Sequence, residues 1–191
     1  MTLAVLCAGA AKGLVAALGS AFTAETAVAI DGTFGAVGAL REKLVAGAPC
    51  DAIVLTAALI DTLEKEGRVV PGSAAPLGTV RTGIAVRAGE PLPDIQNAAA
   101  LRATLLGASR LLFPDPQRAT AGIHFVDVLR RLGIHDDVAL VGPLPAGFDL
   151  ATVYTAAVCT GARDRALAQR YVQMLSGAQA RGLRARGGFE C

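Results

Sequence analysis

The chain has 191 residues, 53% of them hydrophobic, with 18 Lys and Arg against 16 Asp and Glu for a net charge of +2. Apolar content at this level argues against disorder and provides for a sizeable core, and the length fits one domain or two small lobes. Scattered arginines, two Tyr and no Trp argue against nucleic-acid binding, which relies on clustered cations or stacking aromatics.

Residues 1–22 are apolar enough to suggest an export leader, but no basic residue precedes the run and Lys12 interrupts it. Val5-Leu6-Cys7 also lacks the small residue that precedes a lipidated cysteine. The segment therefore reads as the first strand and helix of the fold. No later run reaches the ~20 apolar residues of a membrane span. A soluble protein is expected, cytoplasmic as the chain stands and periplasmic if an export signal has been omitted.

Residues 3–7 are a short apolar run suited to a strand buried on both faces. Leu14, Val15, Leu18 and Phe22 then repeat at helical spacing. A second strand is predicted over 26–30, with Gly32-Thr33-Phe34-Gly35 as the turn after it. Val37, Leu40, Leu44 and Val45 mark the second helix, which Gly47 and Pro49 end. Residues 51–56 form a third strand, followed by a helix burying Leu59, Ile60 and Leu63. Three strand-then-helix units in a row predict a parallel sheet with helices on its faces.

A loop over 71–77 leads to a fourth strand over 80–86, and Pro91-Leu92-Pro93-Asp94 then marks entry into a second body. A helix is expected over 98–106 and a very short strand over 111–113. Thr120 is the expected N-cap of a helix carrying Ile123, Val126 and Leu129 inward. Leu140 and Val141 suggest another strand, residues 150–159 a longer one, and Leu167, Tyr171, Met174 and Leu175 the last helix.

Turns rich in very small residues follow the first three strands: Ala8-Gly9-Ala10-Ala11, Gly35-Ala36-Val37-Gly38 and Thr56-Ala57-Ala58. A fourth, Thr120-Ala121-Gly122, lies in the second body. Small side chains admit a ligand to backbone N–H groups at helix starts, which carry partial positive charge and suit oxyanions or carboxylates. The same residues also serve close packing of helix on sheet. No P-loop or GxGxxG is completed, and Ser20, Ser73 and Ser109 have no evident His and Asp partners. Cys7, Cys50, Cys159 and Cys191 show neither CxxC nor Cys-to-His ligand spacing; they read as small buried hydrophobes, and no metal or cofactor is expected.

Several segments in order carry a resemblance: Val5-Leu6-Cys7-Ala8-Gly9-Ala10-Ala11-Lys12-Gly13, Thr33-Phe34-Gly35-Ala36-Val37-Gly38-Ala39-Leu40, and Ala46-Gly47-Ala48-Pro49-Cys50-Asp51-Ala52-Ile53-Val54-Leu55-Thr56-Ala57. Pro114-Asp115-Pro116, Ala121-Gly122-Ile123-His124-Phe125 and Gly187-Gly188-Phe189 follow. Over nearly the whole chain they resemble the molybdate-binding-protein-like branch of the type II periplasmic-binding, or extracellular solute-binding, family. The resemblance implies an α/β fold of two lobes with a ligand in the cleft between them. Residues 1–80 and 159–191 would form the first lobe, and 81–158 a reduced second lobe that includes the crossing strands. Serine hydroxyls of molybdate binders correspond to Ala10 and Val37, which removes bonds worth about 1.5–3 kcal/mol each and disfavours molybdate. A helix and strand of the family have no counterpart in residues 135–140.

The candidate ligand residues are Gly9, Ala10, Ala11, Lys12, Gly35, Ala36, Val37, Thr56, Ala57, Thr120, Ala121, Gly122 and His124. Lys12 would neutralise a carboxylate or is an ordinary surface lysine. Thr33, Thr56 and Thr120 would donate hydroxyls to the ligand or cap their own helices. His124 would bind the anion or move a proton. Arg81 and Arg118 lie near the implied cleft, while Glu64-Lys65-Glu66 and residues 181–186 read as solvated faces. Two functions follow from the resemblance: a module that binds a small anion, served by an ABC transporter permease if exported, or an isomerase of an unsaturated tricarboxylic acid similar to aconitate isomerase. A shortened relative without a ligand is the third reading.

Overall fold

The apolar run near the amino end forms β1 (Thr2–Ala8), buried on both faces from Leu3 to Ala8. The computed structural model describes residues 2–117, 119–134 and 150–190. It divides into two compact units, one running to Val80 and resuming at Thr152, the other Arg81–Ala151. The second boundary precedes the expected 158/159 because the returning strand is built into the first unit's sheet.

In chain order, a 3-10 turn (Gly9–Ala11) leads into α1 (Lys12–Thr26), then β2 (Ala29–Gly35), α2 (Val37–Val45), β3 (Ala52–Thr56), α3 (Ala57–Lys65) and β4 (Ala75–Arg81). The second unit holds α4 (Ala98–Gly107) and α5 (Thr120–Arg131). The chain returns through β5 (Ala151–Val158), α6 (Arg165–Ser176), a 3-10 turn (Ala178–Ala180), α7 (Arg181–Arg186) and β6 (Phe189–Glu190).

The sheet order is β2-β1-β3-β5-β4-β6. β1 pairs in parallel with β2 and β3, as three successive strand–helix units require. β5 pairs antiparallel to β3, because the chain re-enters from residues 81–151 rather than through a crossover helix. Alternation along β1 sends Leu3, Val5 and Cys7 to a core shared with α1 and α6, and Leu6 and Ala8 to one shared with α2 and α3. Phe22 and Tyr171 meet edge to face at 4.9 Å where α1 packs on α6.

The amino edge of this sheet is tied by a buried carboxylate. Asp51 accepts from Ala4 N at 2.7 Å and Arg163 Nη2 at 2.6 Å on Oδ2, and from Arg163 N at 2.8 Å on Oδ1. Arg163 Nη2 also donates to Thr2 O at 2.7 Å. Burial alone pushes the Asp51 carboxyl up, but the bonds from Arg163 and Ala4 outweigh it and hold the group below its usual range.

Several expected elements are corrected. α1 runs through residue 26 and ends at Ala27, whose φ of 57° is left-handed. The second strand is then Ala29–Gly35, so the proposed turn at 32–35 lies inside it. Its ladder to β1, from Thr2↔Ala29 to Ala8↔Gly35, overrides the local glycine signal. Gly32 has a packing reason as well: the Phe34 ring fills the space its side chain would take. The fourth strand is residues 75–81 rather than 80–86, because Leu77 anchors the first core while Ile84 joins the second. Residues 111–113 form no strand; Leu111 is buried and Phe113 lies 5.0 Å from Phe125. Arg184, in the run read as a solvated face, is buried and donates to Leu175 O and Gly177 O at 2.9 and 2.8 Å, satisfying the carbonyl end of α6. The strand expected at 140–141 and the shortened span 135–140 lie outside the described residues.

The second unit has its own core, in which Leu101 and Leu105 of α4 pack with Phe125 and Val128 of α5. Arg102 Nε donates to Leu132 O at 2.9 Å and fastens α4 to the end of α5. Among its described residues, this unit contributes only the ends of β4 and β5 to the sheet, so the sheet expected in the second lobe is not seen there.

Candidate functional site

Parallel pairing sets the carboxyl ends of β1, β2 and β3 along one sheet edge. Ala8 pairs with Gly35, while Cys7 pairs with both Phe34 and Val54. Each strand passes almost at once into a helical start: Gly9–Ala11 and α1 after β1, α2 after β2, and α3 after β3. The first amides of a helix have no partner within it, so these turns direct several N–H dipoles toward one edge.

None of these starts carries a side-chain cap. Ala8, Ala11, Ala36 and Thr56 hold the N-cap positions, and none makes a cap hydrogen bond from its side chain. Two other helices are capped: Asn97 accepts from Ala100 N at 3.0 Å on α4, and Asp164 from Leu167 N at 2.9 Å on α6. Of the two roles open to Thr56, capping its own helix is therefore not the one it performs.

The candidate residues differ in what they can offer. Gly9, Ala10 and Lys12 are exposed, and Gly35, Ala36, Thr56 and Ala57 are half-buried. Ala11 is fully buried and Val37 nearly so; their side chains belong to the two cores, which leaves only backbone for a ligand. A Cβ on Gly9 would lie 4.0 Å from Gly35 O, so the first two turns are about one side chain apart. Thr33 is not at a turn: it pairs with Leu6 within β2. Lys12 Nζ lies 5.6 Å from the centre of the Phe34 ring, a cation–π contact that holds the ammonium beside the end of β2. Nothing in the sequence singles out Phe34 as a neighbour of Lys12, because Gly32-Thr33-Phe34-Gly35 resembles a turn; its place in β2 brings the ring there.

An open groove of about 730 Å³ runs between α1 and β2, lined by Val15, Gly19, Ser20, Ile30 and Phe34 among others. It adjoins Phe34 but presents no charged group, so it lacks the complement an anion needs. Burial pushes the Cys7 thiol up to about 12, which removes it as a nucleophile. Among the described residues no cluster of His, Cys, Asp and Glu could hold a metal.

The fourth turn belongs to the second unit. Ala119 is the N-cap of α5 and Thr120 its first helical residue, correcting the expected cap; Ala119 N instead donates to Asp115 O at 3.1 Å. Gly122 is buried, and a Cβ there would collide with the carbonyl oxygens of Pro114 and Asp115. Gly122 therefore serves close packing of its own turn. Thr120 and Ala121 are half-buried, as is His124 one turn into the helix. Arg81 is exposed at the end of β4, and Arg118 lies outside the described residues.

The family described as bacterial extracellular solute-binding protein matches residues 3–141. Aconitate isomerase from Pseudomonas sp. is 29% identical over 133 residues, covering 67% of this chain and 50% of that protein. The chain thus spans about half the length of the curated relative it matches. Among solved structures, the periplasmic molybdate-binding protein of Azotobacter vinelandii superposes with a TM-score of 0.78 at 18% identity, covering 99% of both chains. The sulfate-binding protein SubI of Mycobacterium tuberculosis gives 0.72 at 18% identity, covering 99% of this chain and 86% of that one. At these identities the likeness is one of fold. No helix among the described residues is long and apolar enough to cross a membrane.

Proposed function

The chain belongs to the bacterial extracellular solute-binding proteins, and we propose that it captures a small anion, a carboxylate in preference to molybdate, on the amides of the turns after β1, β2 and β3. One observation carries this reading: three helix starts without a side-chain cap are gathered at one sheet edge, whereas α4 and α6 are capped and the uncapped starts of α5 and α7 lie elsewhere in the chain. A bound anion supplies the missing acceptors. Lys12 adds a full positive charge at the first turn, and Thr56 adds a hydroxyl at the third. Ala10 and Val37 offer no side-chain donor, which suits the two oxygens of a carboxylate better than the four of molybdate. If exported, the protein would hand its ligand to an ABC transporter permease.

A thermal-shift panel of molybdate, sulfate, citrate, cis-aconitate and trans-aconitate tests the reading. A true ligand at 100 times its Kd stabilises the fold by about 2.7 kcal/mol. A carboxylate is expected to give the largest shift, and no shift with any anion overturns the proposal.

The match to aconitate isomerase favours a second reading, in which the captured acid is also converted. A base would take a proton from the methylene carbon of cis-aconitate, and a proton returned to the far alkene carbon would move the double bond. His124 is the candidate base. Incubation with cis-aconitate followed by NMR tests this: trans-aconitate above the blank supports it, and its absence removes it.

A further inference from the structure

Cys50 stands two residues before β3 and Cys159 immediately after β5, two strands that pair antiparallel. Their sulfurs are 3.2 Å apart, although the residues are 109 positions apart in the chain. Both side chains are buried, at 6% and 1% exposure, in the core beneath α2 and α3. Backbone bonds fix both ends: Cys159 N donates to Asp51 O at 3.1 Å, and Asp51 N donates to Ala4 O at 2.8 Å. We propose that Cys50 and Cys159 are a disulfide site, closed by a disulfide-bearing small-molecule oxidant.

The sulfurs have to approach from 3.2 Å to the bonded length of about 2.05 Å, a shift that side-chain rotation can supply between anchored strands. Cys50, the less buried of the two, attacks the oxidant's disulfide as its thiolate; one sulfur of the oxidant bonds to Cys50 and the other leaves as a thiol after protonation. Cys159 then attacks the Cys50 sulfur, and the second oxidant thiol departs. Two protein thiols become one disulfide, and one oxidant disulfide becomes two thiols, so protons and electrons balance. Cys7, buried in the core on the opposite face of the sheet, is not part of the site. The bond would close a ring containing the whole of residues 81–151, joining the entry to β3 to the exit from β5. This inference is independent of any ligand.

The test uses the full chain in two forms, one folded and one refolded from its reduced, unfolded state, each in a mixture of oxidised and reduced glutathione. Free thiols are alkylated under denaturing conditions without reductant, and the digest is mapped by mass spectrometry. The expected result is a linked Cys50–Cys159 peptide pair, two hydrogens lighter than the reduced pair, with Cys7 alkylated. The Cys50→Ser and Cys159→Ser variants should each lose that product. Alkylation of both Cys50 and Cys159 in both samples, glutathione held on either, or linkage of either to Cys7 or Cys191 overturns the proposal.

Discussion

The two edges of one parallel strand set are built on opposite principles. At the amino edge, Asp51 supplies a permanent internal anion, and its oxygens take bonds from Ala4 and Arg163. At the carboxyl edge, the starts of α1, α2 and α3 carry no such acceptor from their caps. Elsewhere in the chain Asn97 and Asp164 cap α4 and α6, while α5 starts at Ala119 and α7 at Ala180 without a side-chain cap. The comparison teaches that one end of the same strands is closed by a side-chain acceptor, while the helix starts at the other end keep their first amides free of any capping side chain.

The largest effect should come from dismantling the closed edge. Asp51→Ala leaves Ala4 N and the Arg163 bonds without their acceptor and should cost about 3 kcal/mol in urea unfolding, the lower end for a broken buried pair because Arg163 is half-exposed. The same group gives a pH signature. Its folded pKa is depressed, so its contribution is complete above the unfolded value near 3.8 and is lost as pH falls through the lower folded value. The Tm of the native chain should therefore drop in that acid window, and Asp51→Asn should remove that part of the slope.

Installing a cap at the open edge sharpens the contrast. Ala36→Asp should stabilise the fold by about 0.5–2 kcal/mol and weaken anion binding at least tenfold, since the new carboxylate takes the amides and repels the ligand. A variant that gains stability while keeping its affinity would break the argument. Asn97→Ala on α4 should do the converse, costing about 1 kcal/mol by calorimetry while leaving anion affinity unchanged. Smallest is Lys12→Met, which should weaken anion binding by about 0.5–1 kcal/mol in titration calorimetry, less at high salt, with little change in Tm.

Much of this was legible in the residues. The continuous apolar runs of β1 and β3, and the helical spacing after each, predicted the parallel half of the sheet and the turns at its carboxyl edge. What the sequence hid was pairing at long range. The second half of β2, residues 32–35, resembles a turn because Gly32 and Gly35 are poor strand residues by themselves; the ladder to β1 and the ring of Phe34 make them fit. Asp51 and Arg163 are 112 positions apart, and Cys50 and Cys159 are 109 apart, so neither pair shows a local spacing. The absence of caps was half visible: Ala36 could be read as no cap, but Thr56 offered a plausible one, and only its bonding decides.

Gly122 imposes a restriction of a different kind. With the main-chain oxygens of Pro114 and Asp115 occupying the place a Cβ would take, even alanine has nowhere to go, while its neighbour Ile123 is half-exposed and leaves ample room. In a saturation library scored for folded protein, position 122 should accept a single amino acid and position 123 nearly all of them, a difference of tolerance between adjacent codons that reflects clearance rather than chemistry.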